Sequence, residues 1–470
     1  MRITARDGSR YAAGPLAVLA GVNIVDALDV SILRGVLPFL EDEWGLSDFQ
    51  LGLLSFAFVF VHAIAAIPAG WAADRVRRTR LIGWTVMSWG LLCSLSATAV
   101  GFWHLFGARA MLGFGQAIDD PASTSLLTDF YPAKVRGRVF SVNQIAQTAG
   151  TGIGVAIGGV VGATVGWRWA FLVVGIPGML LAIPAFRLRE PIRGEAEGAT
   201  AELAVNSFSR GTSAGTLVRT AARDLRAELR MIFAIPTMRY VLVGVGTLLF
   251  TVSGTASWLV VYHDRYSNMS AGRAAAVTGG ILALGGLIGT WWGGRLTDLV
   301  YGRVSGGRIL VVGWSIIICT GFYVVSYNVS MVPLRLLLQF VGTVSITAAF
   351  PALRASMMDV VPTASRGVGT SAFSLASALF GTALAPPLVG LLSDFTSLYA
   401  AFHVIIPPVI LGALIVLRAR GTVDRDAAAL MAVAEVASAE ADVAQLTGPE
   451  SAAAMPGDAD SPAPSGEPAP

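Results

Sequence analysis

Long apolar runs constrain this chain more than any other feature of its sequence. A helix needs roughly 20 mainly apolar residues to cross ~30 Å of hydrocarbon. Six runs of this length precede residue 190 and six follow residue 236. They cover about 15–40, 49–70, 81–101, 104–130, 139–164, 168–187, 238–262, 273–294, 308–327, 331–357, 367–392 and 398–417. The sequence therefore predicts an all-α membrane protein with 12 transmembrane helices.

Composition excludes the soluble classes of protein. Hydrophobic residues make up 54% of the 470 residues and charged residues only 13%, about half the ~25% of a typical soluble domain. Cys93 and Cys319 both lie in apolar runs, so a disulfide scaffold is also excluded. No cleavable signal is evident, because the first apolar run is too long and leads directly into further spans.

The positions of the basic residues predict the orientation in the membrane. Of the 33 lysine and arginine residues, most lie in segments that would share one side with the N-terminus, such as 75–80 and 187–239. Basic loops stay in the cytoplasm, so both termini are expected there. We expect a multi-pass monomer in the cell (inner or plasma) membrane that contacts the lipid bilayer and binds no nucleic acid.

The spans divide the chain into four parts. We predict an N-terminal six-helix bundle over 1–190, a cytoplasmic connector over 191–236, a C-terminal six-helix bundle over 237–420 and a disordered cytoplasmic tail over 421–470. The connector alternates leucine and arginine at helical spacing, which is typical of an amphipathic helix lying on the anionic inner leaflet. The tail is too poor in large apolar residues to pack. A short helix could form near 426–446, with the rest disordered.

An internal repeat supports two related bundles. Five residues recur with a displacement of 230 positions, and Gly70 and Asp74 recur with a displacement of 224. The five pairs are Pro121/Pro351, Asp129/Asp359, Pro132/Pro362, Arg136/Arg366 and Gly137/Gly367. Duplicated bundles of this kind place a substrate site between the halves, near the membrane midplane.

Three motifs resemble those of the major facilitator superfamily. They are Gly70-Trp-Ala-Ala-Asp74-Arg75-Val-Arg77-Arg78 between helices two and three, Arg109-x-x-x-Gly113-x-Gly115 on helix four, and the helix-five glycines Gly150, Gly154, Gly158 and Gly159. Shorter stretches look like the Spinster-like branch and its bacterial relatives. These are Asn23-x-x-Asp26, Gly35-Val-Leu-Pro38, Trp167-Arg-Trp-Ala-Phe171 and Arg189-Glu-Pro-Ile-Arg193-Gly194. The resemblance implies the major facilitator fold and secondary transport by alternating access, without a cofactor.

Charged residues at the cytoplasmic ends are candidates for a gating latch. In the superfamily the cluster after helix two is thought to hold the halves together in the outward-open state. The pairs Asp129/Arg136 and Asp359/Arg366 would add a belt of salt bridges. The alternative is solvated loop charge that only sets the topology. The candidate latch comprises Gly70, Asp74, Arg75, Arg78, Asp129, Arg136, Asp298, Asp359 and Arg366.

Acidic residues near mid-bilayer are the candidates for proton coupling. A charge at this depth costs at least ~2.5–3.5 kcal/mol, so a cluster of acids implies a polar cavity. Because clustered carboxylates repel, at least one should take up a proton at physiological pH. The alternative is structural pairing with Arg34 or Arg109. The candidates are Asp26, Asp29, Asp119 and Asp120, with Gln116 on the same face of helix four as the last two.

The Spinster-like resemblance has two departures at this cluster. Spinster-like proteins usually carry an acid at the position of Gln116 and an arginine directly after the acid matched by Asp26, where this chain has Ala27. Other candidate cavity residues are Asn23, Asn143, Gln147, Trp258 and Tyr262. The two aromatic residues could stack on a ligand or form part of an interfacial belt.

These features favour a secondary active transporter, a symporter or an antiporter, in which movement of a small organic or amphipathic solute, such as a lysolipid or a drug-like compound, is coupled to protons. One alternative is uptake of a small organic anion, with Arg34, Arg109 or Arg335 supplying the counter-charge. Another is a substrate receptor that does not transport. The segment 211–215 fits the nucleophile-elbow pattern but lies in the connector without a histidine partner, so we expect no enzyme, and no metal site either.

Overall fold

Apolar sequence produces long helices throughout the molecule. The computed structural model describes residues 2–4, 10–117, 119–192, 196, 230, 233–361, 373–375 and 377–429. Side chains at 2–4, 10, 66–75, 120–121, 133–134 and 358 lie outside the described set. The predicted connector helix, the pattern at 211–215 and Arg366 also fall outside it.

The N-terminal half begins with two short antiparallel strands, β1 (Arg2–Thr4) and β2 (Arg10–Ala12), in which Ile3 pairs with Tyr11. Seven helices follow: α1 (Gly14–Trp44), α2 (Asp48–Arg75), α3 (Arg78–Ser96), α4 (Phe102–Gln116), α5 (Asp119–Phe130), α6 (Ala133–Val165) and α7 (Trp167–Phe186). Within this half, α1 packs on α6 and α7, α3 on α7, and α2 on α4.

The C-terminal half has a matching arrangement. Its elements are α8 (Pro236–Tyr266), α9 (Ala271–Val300), α10 (Gly307–Asn328), α11 (Val332–Val360), a π-helix (Ser377–Ala383), α12 (Ala385–Phe395), α13 (Leu398–Val404) and α14 (Ile406–Arg418). Here α10 packs on α11 and α14, α9 on α11, and α8 on the π-helix. The halves meet mainly where α6 packs on α9 and where α2 packs on α12.

Ten helical stretches in the described residues are long and apolar enough to cross a membrane. The predicted third span corresponds to α3, which is not among the ten, and the predicted fourth span corresponds to α4 followed by α5. With 15 and 12 residues, these two helices are each too short alone. The structure therefore confirms an all-α, multi-span architecture, while the number twelve stays a prediction.

The predicted tail begins too early in the sequence. Residues 421–429, which composition assigns to the disordered tail, are helical. Asp426 accepts a hydrogen bond of 3.0 Å from the backbone N–H of Thr237, in the first turn of α8. A carboxylate at a helix N-terminus accepts a hydrogen bond from a free backbone N–H group and interacts favourably with the helix dipole. This tertiary contact explains why an alanine-rich segment is ordered here.

The helix-five glycines pack α6 against α1, as their period of four predicts. A Cβ atom added to Gly150, Gly154 or Gly158 would lie 2.4–2.6 Å from a backbone oxygen of α1. Because only glycine leaves room for this approach, α1 and α6 form the closest helix pair of the N-terminal half.

Candidate solute site

A central cavity of about 340 Å³ lies between the two halves. Side chains from α1, α6, α8, α9, α10, α11 and the π-helix line it. Its charged and hydrogen-bonding groups include Asp26 and Arg34 on α1, Gln144 and Gln147 on α6, and Tyr323 on α10. Threonine hydroxyls from both halves add hydrogen-bonding groups to a lining that also contains apolar side chains such as Leu249, Leu282 and Phe350. This mixture suits an organic solute with both polar and apolar parts.

Only part of the predicted cavity set faces this space. Asp26 and Gln147 line the cavity, whereas the other candidates with described side chains do not. Those not lining it are Asn23, Asp29, Gln116, Asp119, Asn143, Trp258 and Tyr262. The side chain of Asp120 lies outside the described set. The position of a residue along a helix does not determine which way its side chain points.

Asp29 belongs to a buried network inside the N-terminal half. Its carboxylate oxygen Oδ1 lies 3.5 Å from a guanidinium nitrogen of Arg109, and Gln116 donates a 3.3 Å hydrogen bond to Oδ2. The guanidinium also lies 4.7 Å from the ring centre of Phe171. The alternative of structural pairing with Arg109 is thus the arrangement found for Asp29. An acid held this way can exchange a proton only if its arginine partner is released or compensated.

The other residues of the helix-four region have packing or hydrogen-bonding roles. A Cβ on Gly113 would lie 2.3 Å from the backbone oxygen of Phe58, so this glycine permits the close approach of α4 to α2. At Gly115 an added Cβ would meet only ordinary contacts, the nearest at 3.7 Å. The Asp119 carboxylate accepts a 3.1 Å hydrogen bond from the Ser123 hydroxyl.

A second buried polar network lies in the C-terminal half. His263 on α8 contacts the Gln339 amide oxygen at 2.9 Å and the Ser267 hydroxyl at 3.0 Å. Arg335 donates a 2.6 Å hydrogen bond to the same hydroxyl and further bonds to the carbonyls of Tyr266 and Val329. Sequence reasoning missed His263. The sequence does contain a signal for Arg335, the arginine of this network. It repeats Arg109 with a displacement of 226 positions, the same displacement that separates Cys93 and Cys319.

Trp258 and Tyr262 belong to the packed interior of the C-terminal half. The Trp258 indole donates a 3.0 Å hydrogen bond to the carbonyl of Pro386. Tyr262 lies 5.0 Å from the ring centre of Tyr327, which stacks on Phe402 at 4.7 Å. Both predicted residues are almost fully buried. Neither ligand stacking nor an interfacial belt describes their surroundings.

Ion pairs also lie at the end of the bundle opposite to the connection between α1 and α2. They join different residues from those that the sequence predicts. Arg78 binds Asp129, and also Glu190 at 3.0 Å. In the other half, Arg308 binds Asp359 at 2.5–2.6 Å. Arg78 and Arg308 are again 230 positions apart, so the repeat includes a pair that the motif comparison missed. Each pair joins helices of one half, and neither links the two halves.

The expected pair between Asp129 and Arg136 is replaced by these contacts. Arg136 donates hydrogen bonds to the carbonyls of Thr128 (2.8 Å) and Tyr131 (3.0 Å) at the end of α5. Unpaired carbonyls at a helix C-terminus attract a guanidinium. Asp298 is exposed and has no hydrogen-bond or ion-pair partner among the described residues. The side chains of Asp74 and Arg75 are outside the described set, so their latch role stays a prediction.

We expect Glu190 to stabilise the fold in a pH-dependent way. Burial alone would raise the pKa of its carboxyl group, but hydrogen bonds from the Thr79 backbone and hydroxyl (2.9 and 2.8 Å) and from Arg78 hold that pKa below 4.5. A carboxyl group whose pKa is lower in the folded than in the unfolded protein stabilises the fold at pH values above its unfolded pKa. This contribution is lost as the pH falls through the folded-state pKa. Glu190→Gln should therefore cost about 1 kcal/mol near neutral pH.

The measurement is the melting temperature of the purified protein in detergent across the acid range. Glu190→Gln should reduce the difference in melting temperature between neutral pH and a pH below the folded-state pKa. Asp42→Asn, at an exposed position of α1, should leave that difference unchanged. An unaltered pH difference in the Glu190 variant would contradict the assignment.

The opposite end of the bundle holds the two halves together. Arg265 at the end of α8 binds both carboxylate oxygens of Asp48 on α2 (2.6 and 2.9 Å) and Glu41 on α1 (2.7 Å). Asp394 on α12 accepts hydrogen bonds from the N–H groups of Asp48 (2.8 Å) and Phe49 (3.0 Å), and so caps α2 from the other half. This cluster was not identified from the sequence.

Close glycine contacts accompany these charges. A Cβ on Gly152 of α6 would lie 2.3 Å from the backbone oxygen of Gly279 on α9, and the reverse distance is also 2.3 Å. Nearer the end, a Cβ on Gly390 would lie 2.3 Å from the backbone oxygen of Asp48. We call the cross-half contacts of Glu41, Asp48, Arg265 and Asp394 the cross-half cluster. It seals the end of the bundle at which α1 passes into α2.

Comparison with known proteins identifies the family. The family model described as Major Facilitator Superfamily matches residues 19–381. The chain belongs to this superfamily, whose members are transporters rather than enzymes.

Two curated relatives illustrate the range of similarity. Protein spinster homolog 1 of Homo sapiens is 30% identical over 186 residues, which is 39% of this chain and 35% of that protein. The probable L-galactonate transporter of Escherichia coli K12 is 26% identical over 302 residues, or 64% of each chain. The match thus spans about a third of the first relative and just under two thirds of the second.

A solved structure shares the fold. The crystal structure of a bacterial homolog to the human lysosomal transporter Spinster, in an inward-facing and unoccupied conformation, superposes with a TM-score of 0.75. The superposition covers 88% of this chain and 97% of that one at 20% identity. A likeness at this identity shows the fold alone.

Proposed function

We propose that this protein is a secondary active transporter that carries a small organic solute through the central cavity by alternating access, coupled to protons. The observation that carries the proposal is the cavity, lined by both polar and apolar side chains, between two halves that are held together at one end. Opening that end while the other closes would expose the same cavity to the opposite side of the membrane. Solute and protons are the proposed partners, and the protein would act as a monomer.

The orientation completes this proposal. Twelve spans with both termini in the cytoplasm would place the cross-half cluster on the outer side of the cell membrane. Arginine-rich segments at the other end support this orientation through the positive-inside rule. The structure then corresponds to an inward-facing state, sealed toward the outside. We propose 1–190 and 237–420 as the moving bundles and 191–236 as their cytoplasmic connector.

Asp26 is the acid that we propose for proton coupling at the cavity. It lines the central cavity on α1, whereas Asp29 is committed to Arg109. A carboxylate facing a water-filled cavity can exchange protons and sense a solute directly. Asp29 and Arg109 would act indirectly. Their ion pair would form or break as the charge in the cavity changes.

The test is solute flux in proteoliposomes with and without an imposed proton gradient. We expect Asp26→Asn to abolish the gradient-driven component of flux while leaving exchange of internal for external solute. Asp42→Asn, which alters an exposed acid on the same helix, is the matched control and should behave as wild type. Gradient-driven flux that persists in the Asp26 variant would contradict the coupling role.

The proposed solute is a small organic or amphipathic molecule. The Spinster-like resemblance supports a lysolipid-like or drug-like compound, and the name of the Escherichia coli relative supports a small organic anion. A cavity of about 340 Å³ is at the small end of ligand pockets. Binding without any flux in the same vesicles would instead support a receptor on this fold.

A further inference from the structure

Arg34 differs from the other deeply placed arginines of this protein. Arg109 is paired with Asp29, and Arg335 donates to two carbonyls and a hydroxyl. Among the residues that the structure describes, Arg34 has no hydrogen-bond, ion-pair or ring partner. It nevertheless lies in the second half of α1, partly buried, on the wall of the central cavity.

A positive charge in the membrane interior is costly unless a counter-charge or hydrogen-bond acceptor compensates it. Asp26 is the acid that lines the same cavity, but it lies eight residues earlier on α1, about 12 Å along the helix axis at ~1.5 Å per residue. No ion pair between the two side chains is present in the structure. The guanidinium therefore faces the cavity with its donors uncommitted.

A second observation points to a ligand at the same place. Beside Arg34 the cavity adjoins a recess of about 20 Å³, lined also by Arg109, which is paired with Asp29, and by Ser253, Ser257 and Thr382 of the C-terminal half. This is room for about one water-sized group. The hydroxyl of Ser257 is buried, with the residue 2% exposed, and has no hydrogen-bond partner among the described residues. A cation from one half and a spare hydroxyl from the other thus border a space that fits one oxygen atom.

We propose that the solute carries an anionic group, a carboxylate or a phosphate, that binds Arg34 at this recess, with its remaining polar groups toward Gln144 and Gln147. The planar guanidinium presents paired donors that match the oxygens of such groups. Because Arg34 and Ser257 belong to different halves, an oxygen bound between them would link the halves across the site. This inference rests on the proposed function, and it names the substrate class of the central cavity.

The test measures binding separately from transport. Purified full-length protein in detergent is titrated with two matched pairs of probes, gluconate against glucose and lysophosphatidate against monoacylglycerol, and ligand-induced thermal stabilisation is recorded. We expect the anionic member of at least one pair to stabilise the protein and its neutral partner not to. The two pairs distinguish a sugar-acid source of the anionic group from a lipid source.

Variants of Arg34 complete the test. Arg34→Gln should weaken binding of the anionic probe by about 30-fold, the loss expected for a charge-assisted hydrogen bond. Arg34→Lys keeps the charge but not the paired donors and should lose less. Arg168→Gln removes an exposed arginine paired with Glu43 and serves as the control for general charge effects.

Four outcomes overturn the assignment. They are equal stabilisation by a neutral partner, a ligand that carries no anionic group, unchanged affinity in Arg34→Gln, and no stabilisation by either anionic probe. Arg34-dependent anion binding without flux would support this inference while contradicting the transport proposal. Flux of a neutral solute that does not depend on Arg34 would support the transport proposal and contradict this inference.

Discussion

Replacing Gly279 with leucine should prevent the two halves from sealing at the end of the bundle where α1 passes into α2. A Cβ at this position already lies 2.3 Å from the backbone oxygen of Gly152, so α9 and α6 must separate to accommodate any side chain. Overpacking of this kind typically costs about 1–3 kcal/mol, and here the colliding atom is backbone that cannot rotate away. We expect the sealed state to be depopulated and transport to fall to background.

Spin labels at the exposed residues Thr98 and Thr396 would report the separation of the halves at that end. In Gly279→Leu the measured distance should lengthen relative to wild type. Gly280→Leu is the matched control, because a Cβ at the adjacent position meets nothing within 4 Å. A wild-type distance distribution in the Gly279 variant would show that this contact does not govern closure.

Replacing Arg265 with glutamine should also favour opening at this end, without any steric clash. The side chain makes three hydrogen bonds to Asp48 and Glu41 on the other half, and Asp48 is itself buried. Loss of these charge-assisted contacts should shift the balance between sealed and open states by about 2 kcal/mol, or roughly 30-fold. Asp48→Asn should shift it in the same direction.

The control for this prediction lies at the same end of the protein. Arg168 binds Glu43 at 2.7 Å, but both belong to the N-terminal half and are about 40% exposed. Exposed ion pairs contribute little, so Arg168→Gln should leave the balance unchanged. The readouts are the same label pair and the rate of solute exchange. If both arginine variants behave alike, the cross-half cluster has no special role.

Several elements of the fold follow from local sequence. Apolar runs marked the helices, and the period of four at Gly150, Gly154 and Gly158 correctly identified a close-packing face. The ends of elements were less predictable. Residues 421–429 are helical because Asp426 meets the start of α8, a contact 189 positions apart in the chain.

The candidate site was only partly predictable for a related reason. Asp26 and Asp29 are three residues apart, so they lie at similar depth and on neighbouring faces of α1. One lines the cavity and the other meets Arg109 of α4. Depth can be counted from the sequence, whereas the rotation of α1 relative to its neighbours is set by glycine contacts along its whole length. The same rotation exposes Arg34 to the cavity.

The sequence by itself determined that this chain is a multi-span helical protein built from a repeated unit. Spans and repeats are encoded by consecutive or regularly spaced residues, since the bilayer imposes its thickness on each helix separately. Only the tertiary structure decided that Arg34 lines the cavity without a partner among the described residues, which acid lines the same cavity, and that Arg265 joins the halves. Those properties depend on distances between residues far apart in the chain, which no local pattern specifies.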